Sequence, residues 1–242
     1  MKVNNLQKEE VWIRFAGFLL LIAVIILLIV SLEIEISSFF SIRISLSMIA
    51  KDLLYSLLRV TVTALAGWLI AIPIGALLNN NHCIRELTTP VINMIRHISP
   101  FAWFPFAIIW FGLGEKPTAF ILFITLFFPA LIATRDSFGQ IPKEYLDEAK
   151  VCGANMLQLF FYIEVPMVVI PLINLLRILW GLGWTMVIAA EMLGTAAGLG
   201  YRLLDFRYLL YYREMVIYIV IMGIIGVVID YGLVKLADKF RI

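Results

Sequence analysis

Histidine and cysteine are almost absent from this 242-residue chain. There are two of each, His82, His97, Cys83 and Cys152, and no group of them has the spacing of metal ligands. His82 and Cys83 come nearest to such a pattern. We interpret them as part of an ordinary polar loop, because a structural zinc ion needs about four ligands. The sequence therefore predicts no metal site.

Charge is also scarce, since charged residues make up 15% of the chain. An average soluble protein has about 25%. Hydrophobic residues make up 62%, and the mean hydropathy is +0.98. This composition leaves too little polar surface to cover a soluble globule, so we expect a lipid bilayer to surround the protein. The net charge of +2 gives no indication of nucleic-acid binding.

Motifs for nucleotide binding and for catalysis are missing as well. The glycine-rich stretch 194–200 lacks the lysine of a phosphate-binding loop, and we interpret it as a connector or a bendable outer-gate loop. No HExxH, GxSxG or intramembrane carboxylate pair occurs, and we interpret Glu191 and Asp230 as solvated side chains near span ends. We expect no enzyme and no bound cofactor. A membrane enzyme, a channel and a secondary transporter remain as alternatives of other classes.

Long apolar runs dominate what is present. Six segments approach the roughly 20 residues that a spanning helix needs: about 12–32, 53–78, 91–112, 117–135, 167–190 and 214–234. The first is expected to be a retained helix, because its apolar stretch is longer than that of a signal peptide. The third is broken by Pro100 and Pro105. The prediction is an all-α polytopic membrane protein with one domain over residues 1–242.

The distribution of lysine and arginine indicates the orientation. Six spans place both termini on one side, with eleven basic residues there and seven on the other, while Arg177 lies within the fifth span. This excess predicts cytoplasmic termini and cysteines kept reduced.

Small residues recur at Gly67, Ala71 and Gly75 in the second span. Their spacing of four places them on one helix face, which favours close helix packing in lipid. Pro73 on the same helix predicts a kink.

A charged stretch between the fourth and fifth spans interrupts the apolar pattern at 144–166. Pro142 predicts a helix start, and Lys143 and Asp147 are spaced to pair. Gly153 can end that helix in a left-handed conformation, and a second helix can follow from Asn155 or Met156. The fifth span is expected to begin at Pro166. An interfacial amphipathic helix is the alternative interpretation of this stretch.

The same stretch resembles the EAA motif of ABC importer permeases, which reads E-A-A, three residues, G, nine residues, I-x-L-P. We match it to Glu148-Ala149-Lys150, Gly153, Ile163 and Val165-Pro166, with Lys150 and Val165 as departures. The resemblance extends from about 54 to 230. It includes 96–117, 127–154 and 175–200, which look like the branch that serves nitrate, sulfonate, taurine, bicarbonate and thiamine-precursor importers.

This resemblance implies a type I (MetI-like) permease fold with six helices in the bacterial inner membrane. It implies a dimer of permeases, two cytoplasmic ATPases that hold ATP and Mg²⁺, and an extracytoplasmic solute-binding protein. The segment 136–166 would then hold the coupling helices. The ATPase contacts would come from Tyr145, Glu148, Ala149, Gly153 and Phe160. The solute is expected to be a small anion, with a neutral thiamine or pyrimidine precursor as the alternative.

Arg177 is the one basic residue predicted at mid-membrane. An arginine there costs about 2.5–3.5 kcal/mol on insertion scales, so it should face the bundle interior, a partner or water. Either it bonds neighbouring backbone carbonyls, or it lines a solute pathway together with Asn174 and Arg96. A guanidinium binds planar oxyanions through two parallel hydrogen bonds, so a pathway role would favour an anion.

Overall fold

The structure, a computed structural model, describes residues 44–239. From Ser45 onward, the described residues form one compact unit, and all of their helices belong to it. The predicted first span, about 12–32, lies outside the described residues, and the single domain over 1–242 stays a prediction.

Helices make up nearly all of the described residues. In chain order they are α1 (Leu46–Asn80), α2 (His82–His97), α3 (Phe104–Phe111), α4 (Glu115–Gly139), α5 (Lys143–Val151), α6 (Met156–Leu159), α7 (Val165–Glu191), α8 (Leu199–Tyr208) and α9 (Tyr212–Lys239). A 3₁₀ turn, Pro100–Trp103, precedes α3, and a π-helical turn, Phe160–Glu164, joins α6 to α7.

Four predicted spans are confirmed as helices that are long and apolar enough to cross a membrane. They are Leu46–Asn80, Glu115–Gly139, Met156–Glu191 and Tyr212–Lys235. Hydropathy found them because each carries a window of at least 18 residues with few charges.

The third predicted span, 91–112, is broken before Pro100, as predicted, whereas Pro105 lies in the first turn of α3 and does not interrupt it. The chain forms α2, the 3₁₀ turn and α3 here. The prediction of a loop at His82 and Cys83 is wrong, because these residues open α2. The break comes at Ile98 and Ser99, whose backbone is extended, because a proline disfavours a helical residue before it.

The direction of the neighbouring helices shows where this broken segment leads. Gly67 of α1 lies against Phe127 of α4, and Gly75 lies against Thr134, so α1 and α4 run parallel. Because both helices run in the same direction, the chain between them must return from the end of α1 to the start of α4. Residues 81–114 therefore carry the chain from one end of the bundle back to the other.

The core lies between α1, α4 and α7, and the small-residue face of α1 forms part of it. Gly67, Ala71 and Gly75 are all buried, as predicted. A Cβ atom on Gly75 would lie 2.7 Å from the Thr134 Cγ2 atom and 3.0 Å from the Arg135 backbone nitrogen. The absence of that atom lets the two backbones approach closely.

The bundle has two polar ends, which position the candidate sites. At the Gly153 end, α1 and α4 finish and α7 begins, and the Asn80 side chain donates to Glu164 at 3.0 Å. At the Glu191 end, α1, α4 and α9 begin and α7 finishes. Arg59 there bonds both Glu115 and Glu191.

Candidate functional site

The charged segment at the Gly153 end forms a helix, a tight turn and a second helix, as predicted. α5 begins at Lys143, with Pro142 at its N-cap. Asp147 pairs with Lys150 at 3.4 Å, so the predicted pair of Asp147 with Lys143 is wrong. An acidic residue that precedes its basic partner along a helix is the better orientation, and Asp147 precedes Lys150 but follows Lys143.

Gly153 ends α5 in the predicted left-handed conformation, with φ of +85°. Its N–H donates to the Lys150 carbonyl at 2.9 Å, and the Ala154 N–H donates to the Ala149 carbonyl at 3.0 Å. This pair of bonds is a Schellman motif, which satisfies the last carbonyls of the helix. Ala149 therefore helps to shape the turn.

The second helix has a fixed start at Asn155. The Asn155 side chain accepts from the Gln158 N–H, and the Gln158 side chain accepts from the Asn155 N–H, each at 2.9 Å. This capping box satisfies two N–H groups that have no partner within the helix.

The fifth span does not begin at Pro166, contrary to the prediction. α6, the π-helical turn and α7 form one continuous run of 36 residues, Met156–Glu191. The proline lies at the start of α7 directly after the irregular turn, where its missing N–H breaks no regular ladder.

The predicted coupling residues divide into two groups by exposure. Tyr145, Glu148 and Gly153 are exposed, whereas Ala149 and Phe160 are half-buried. The Phe160 ring stacks against Phe138 at the end of α4, with ring centroids 6.2 Å apart. Phe160 thus anchors the segment to the bundle.

The match to the EAA motif needs a correction of one residue. Three residues must separate the motif from its glycine. Counting back from Gly153, the first three positions are therefore Asp147-Glu148-Ala149 and not Glu148-Ala149-Lys150. The corrected match keeps a carboxylate in the first position and Ala149 in the third. The nine residues from Gly153 to Ile163 are unchanged.

Arg177 and Asp230 form an ion pair between α7 and α9. The Arg177 Nε and Nη2 atoms donate to the two carboxylate oxygens of Asp230, at 2.9 and 3.0 Å. Both side chains are partly exposed, at 39% and 53%. The exposure of Asp230 agrees with the predicted solvated side chain near a span end, and its pairing with Arg177 is an addition that the sequence did not predict.

The other two predicted pathway residues lie apart from each other. Asn174 is half-buried on α7, one turn before Arg177. Arg96 is exposed on the last turn of α2, where it lines a cavity of about 50 Å³ with Thr125 and Pro129 of α4.

Sequence reasoning missed a buried polar network at the Glu191 end. Glu191 is fully buried, so the prediction of a solvated side chain is wrong. Its carboxylate accepts from the Ser56 hydroxyl at 2.7 Å, from Arg59 Nη1 at 2.6 Å and from the Gly200 N–H at 2.7 Å. Arg59 also donates from Nε and Nη2, one edge of its guanidinium, to the two carboxylate oxygens of the exposed Glu115. Burial is tolerated because the carboxylate is both paired and hydrogen-bonded.

Asp52 is the second fully buried carboxylate of this network. It accepts from Arg202 Nε and from the Tyr218 hydroxyl, each at 3.0 Å, and from the Gly198 N–H at 3.4 Å. Burial pulls the pKa of Arg202 down, but the hydrogen bond and charge of Asp52 outweigh it, so this pKa lies above its ordinary value.

The glycine-rich loop 194–200 is held by these carboxylates. Gly194 and Gly198 have φ of +103° and +123°, which favour glycine. The N–H groups of Gly198, Leu199 and Gly200 donate to Asp52, Ser56 and Glu191. These contacts agree with the interpretation of the loop as a connector. The three N–H groups are already hydrogen-bonded within the protein.

Comparison with known sequences identifies related proteins. Residues 64–241 match the family described as "Binding-protein-dependent transport system inner membrane component". A putative ABC transporter permease protein of Methanocaldococcus jannaschii is 36% identical over 187 residues, which cover 76% of this chain and 70% of the relative. The nitrate import permease of Synechocystis sp. is 31% identical over 175 residues, covering 72% and 64%. The taurine transport system permease of Escherichia coli is 26% identical over 183 residues, covering 76% and 66%.

A solved structure shares the fold. The inward-facing MetNI methionine ABC transporter has a chain that matches with a TM-score of 0.70 at 18% identity, over 81% of this chain and 99% of that one. At this identity the match concerns the fold alone, and the described residues agree with a MetI-like arrangement.

Proposed function

The chain belongs to the binding-protein-dependent inner membrane component family of ABC importers, and we propose that it conducts a small anion and couples to its ATPase through residues 143–164. The family membership makes the chain a non-catalytic permease subunit, and hydrolysis of ATP belongs to a partner ATPase. It also removes the alternatives of a membrane enzyme and a secondary transporter.

The observation that carries the coupling proposal is the exposed surface of the segment at the Gly153 end. Large apolar side chains stay uncovered there within 18 residues: Tyr145, Val151, Met156, Leu157, Phe161 and Tyr162. Exposed apolar groups clustered in this way mark a site of protein or membrane interaction. Glu144, Asp147 and Glu148 line a shallow concavity on the same segment with Val151, so a partner with basic and apolar groups would fit it.

The contacts of this segment with the bundle suit the transmission of force. Glu164 is buried and bonded to Asn80 at the end of α1, and Phe160 packs on Phe138 at the end of α4. A push on the segment would therefore act on three core helices at once. We place the Gly153 end and both termini in the cytoplasm, in agreement with the excess of lysine and arginine on that side.

Gly153→Leu tests the coupling. A Cβ atom at Gly153 meets nothing within 4 Å in the free chain, so a leucine there would clash only with a docked partner, apart from the strain of its positive φ. We expect uptake and transport-stimulated ATP hydrolysis to fall while membrane insertion stays normal.

Gly153→Asn is the matched control, because asparagine tolerates the left-handed conformation better than leucine. If the tight contact matters, both variants impair coupling. If Gly153 serves only to end the helix, the asparagine variant couples normally and only the leucine variant is impaired. Normal uptake by a well-inserted Gly153→Leu variant contradicts the proposal.

The proposal of an anionic solute rests on the named relatives and on Arg177. Two relatives are named for nitrate import and taurine transport. Arg177 offers a partly exposed guanidinium about 18 Å along α7 from Val165, close to the middle of the bilayer. Asn174 would assist it, and Arg96 would act nearer the Gly153 end. Uptake of a neutral pyrimidine precursor and of no anion would overturn this assignment.

The proposed assembly contains a second copy of this chain, two ATPases and an extracytoplasmic binding protein. Within the described residues, α9 is the least covered span, since 11% of its most apolar window is buried. An ion pair at membrane depth does not face lipid hydrocarbon. A second permease copy that encloses a water-filled path beside α7 and α9 would cover it.

A further inference from the structure

The ion pair between Arg177 and Asp230 has the geometry of a bound oxyanion. Nε and Nη2 of one guanidinium edge meet the two oxygens of the carboxylate, at 2.9 and 3.0 Å. Nitrate and bicarbonate present a similar planar pair of oxygens, and a sulfonate presents two of three. The same guanidinium edge therefore binds either Asp230 or such a solute.

The pair is accessible, which an exchange of partners requires. The Arg177 side chain keeps 39% of its surface exposed and that of Asp230 keeps 53%. The buried ion pair of Arg59 and Glu191 is different, because its side chains are 9% and 0% exposed.

We propose that Asp230 is an internal competitor that occupies the oxyanion site of Arg177 until a solute anion displaces it. This inference rests on the proposed function, and it adds a residue on α9 to that function. An empty pathway would then hold no unpaired arginine at membrane depth, where an isolated charge is costly. Displacement would uncouple α9 from Arg177 and signal that the site is filled.

A purely structural role, in which the pair clamps α9 to α7, is the competing explanation. Another contact already joins these helices. The Trp184 indole N–H donates to the Met222 carbonyl at 3.3 Å. A Cβ on Gly226 would lie 2.9 Å from Trp184 Nε1, so the two helices touch closely there. The ion pair is therefore not needed to bring the helices together.

The test is an anion titration of the full-length chain in lipid nanodiscs. Sodium nitrate, sodium bicarbonate and taurine are the probes, with sodium chloride holding the ionic strength constant. A ligand that binds the folded state raises its unfolding temperature, so the half-maximal probe concentration of this rise measures binding. Chloride also serves as a spherical anion that cannot make two parallel bonds.

For Asp230→Asn, we expect the half-maximal concentration of at least one oxyanion to fall by up to about fivefold, since an exposed ion pair is worth up to about 1 kcal/mol. Arg177→Gln should abolish the response. Glu115→Gln is the matched control: it removes one carboxylate from an arginine at the Glu191 end and should leave the concentration unchanged.

A second variant keeps the test decisive if Asp230→Asn folds poorly. Arg177→Lys keeps the positive charge beside Asp230 but loses the planar fork. It should lose the preference for oxyanions over chloride.

The outcomes separate the two proposals. If Arg177→Gln abolishes binding but Asp230→Asn binds like the unmodified chain, the competition is refuted and the anion site remains. An unchanged oxyanion preference in Arg177→Lys also refutes the competition. If no probe acts on any variant, or if Arg177→Gln responds normally, the anion pathway fails and the inference fails with it.

Discussion

Replacement of Glu191 by glutamine should destabilise the protein far more than the same change at Glu115. Both carboxylates bond the same arginine, Arg59, but Glu191 is fully buried and the Glu115 side chain is 60% exposed. The pair of variants therefore compares a buried and an exposed ion-pair partner within one network.

The magnitude follows from the donors that face Glu191. Three donors converge on its two oxygens, from Ser56, Arg59 and Gly200. An amide offers one oxygen, so its NH₂ group must face either the Gly200 N–H or the other two donors. A buried donor left without an acceptor costs about 1–3 kcal/mol, and a lost bond to a charged group about 1.5–3 kcal/mol. Arg59 keeps Glu115 and the Ala197 carbonyl, which limits the loss. We expect about 2–4 kcal/mol for Glu191→Gln and about 0.2–1 kcal/mol for Glu115→Gln.

The assay is thermal unfolding of the detergent-solubilised full-length chain, with both single variants and the double variant. The double variant leaves the mostly buried Arg59 without a carboxylate, so its loss should exceed the sum of the single losses. Equal shifts for the two single variants would refute the buried network, and so would strict additivity in the double variant.

Two further predictions concern packing and assembly. Gly200→Ala should unfold the loop at the Glu191 end, because its Cβ would lie 2.2 Å from the Ile188 carbonyl oxygen. Gly181→Ala is the control: its Cβ meets nothing within 4 Å, and alanine favours the helix, so the unfolding temperature should stay the same or rise. Similar unfolding temperatures for the two variants would contradict this. Native mass measurement of the purified transporter should find two copies of this chain, and an active complex with one copy would contradict the proposed dimer.

Local signals in the sequence predicted the helices and the segment at the Gly153 end. Long apolar runs predicted four helices of spanning length, because lipid forces the backbone to satisfy its own hydrogen bonds, but the run 91–112 forms no single helix of that length. Gly153 and Asn155 were recognised because a helix stop and a helix start depend on one or two residues. The end of α5 and the start of α6 can therefore be predicted from residues that lie within five positions of each boundary.

Contacts between distant residues could not be predicted in the same way. Glu191 is 132 residues from Arg59, and Asp230 is 53 residues from Arg177. Hydropathy treats a carboxylate near the end of an apolar run as solvated, whatever lies opposite. One signal did exist: Asp52, Ser56 and Arg59 recur at spacings of four and three, which places a polar stripe on one face of α1. A polar stripe at the start of an apolar helix predicts a polar partner, although it does not say which one.

The continuous run Met156–Glu191 explains how these separate sites could act together. Its 36 residues correspond to a length of about 54 Å, enough to cross the bilayer. It carries the second helix of the proposed coupling segment, residues 143–164, at one end, Arg177 near its middle and Glu191 at the other end. The network around Glu191 fixes the far end to α1, α4 and α8, so motion driven at Met156 cannot simply slide the helix as a whole.

The regular helix is interrupted at the π-helical turn Phe160–Glu164 and at Pro171, both on the Met156 side of Arg177. Bending at such interruptions is where a helix yields first. A push on the proposed coupling segment would therefore tilt the Met156 side of the run against the fixed half that ends at Glu191. The displacement would be felt at Arg177, whose partner Asp230 lies on a different helix.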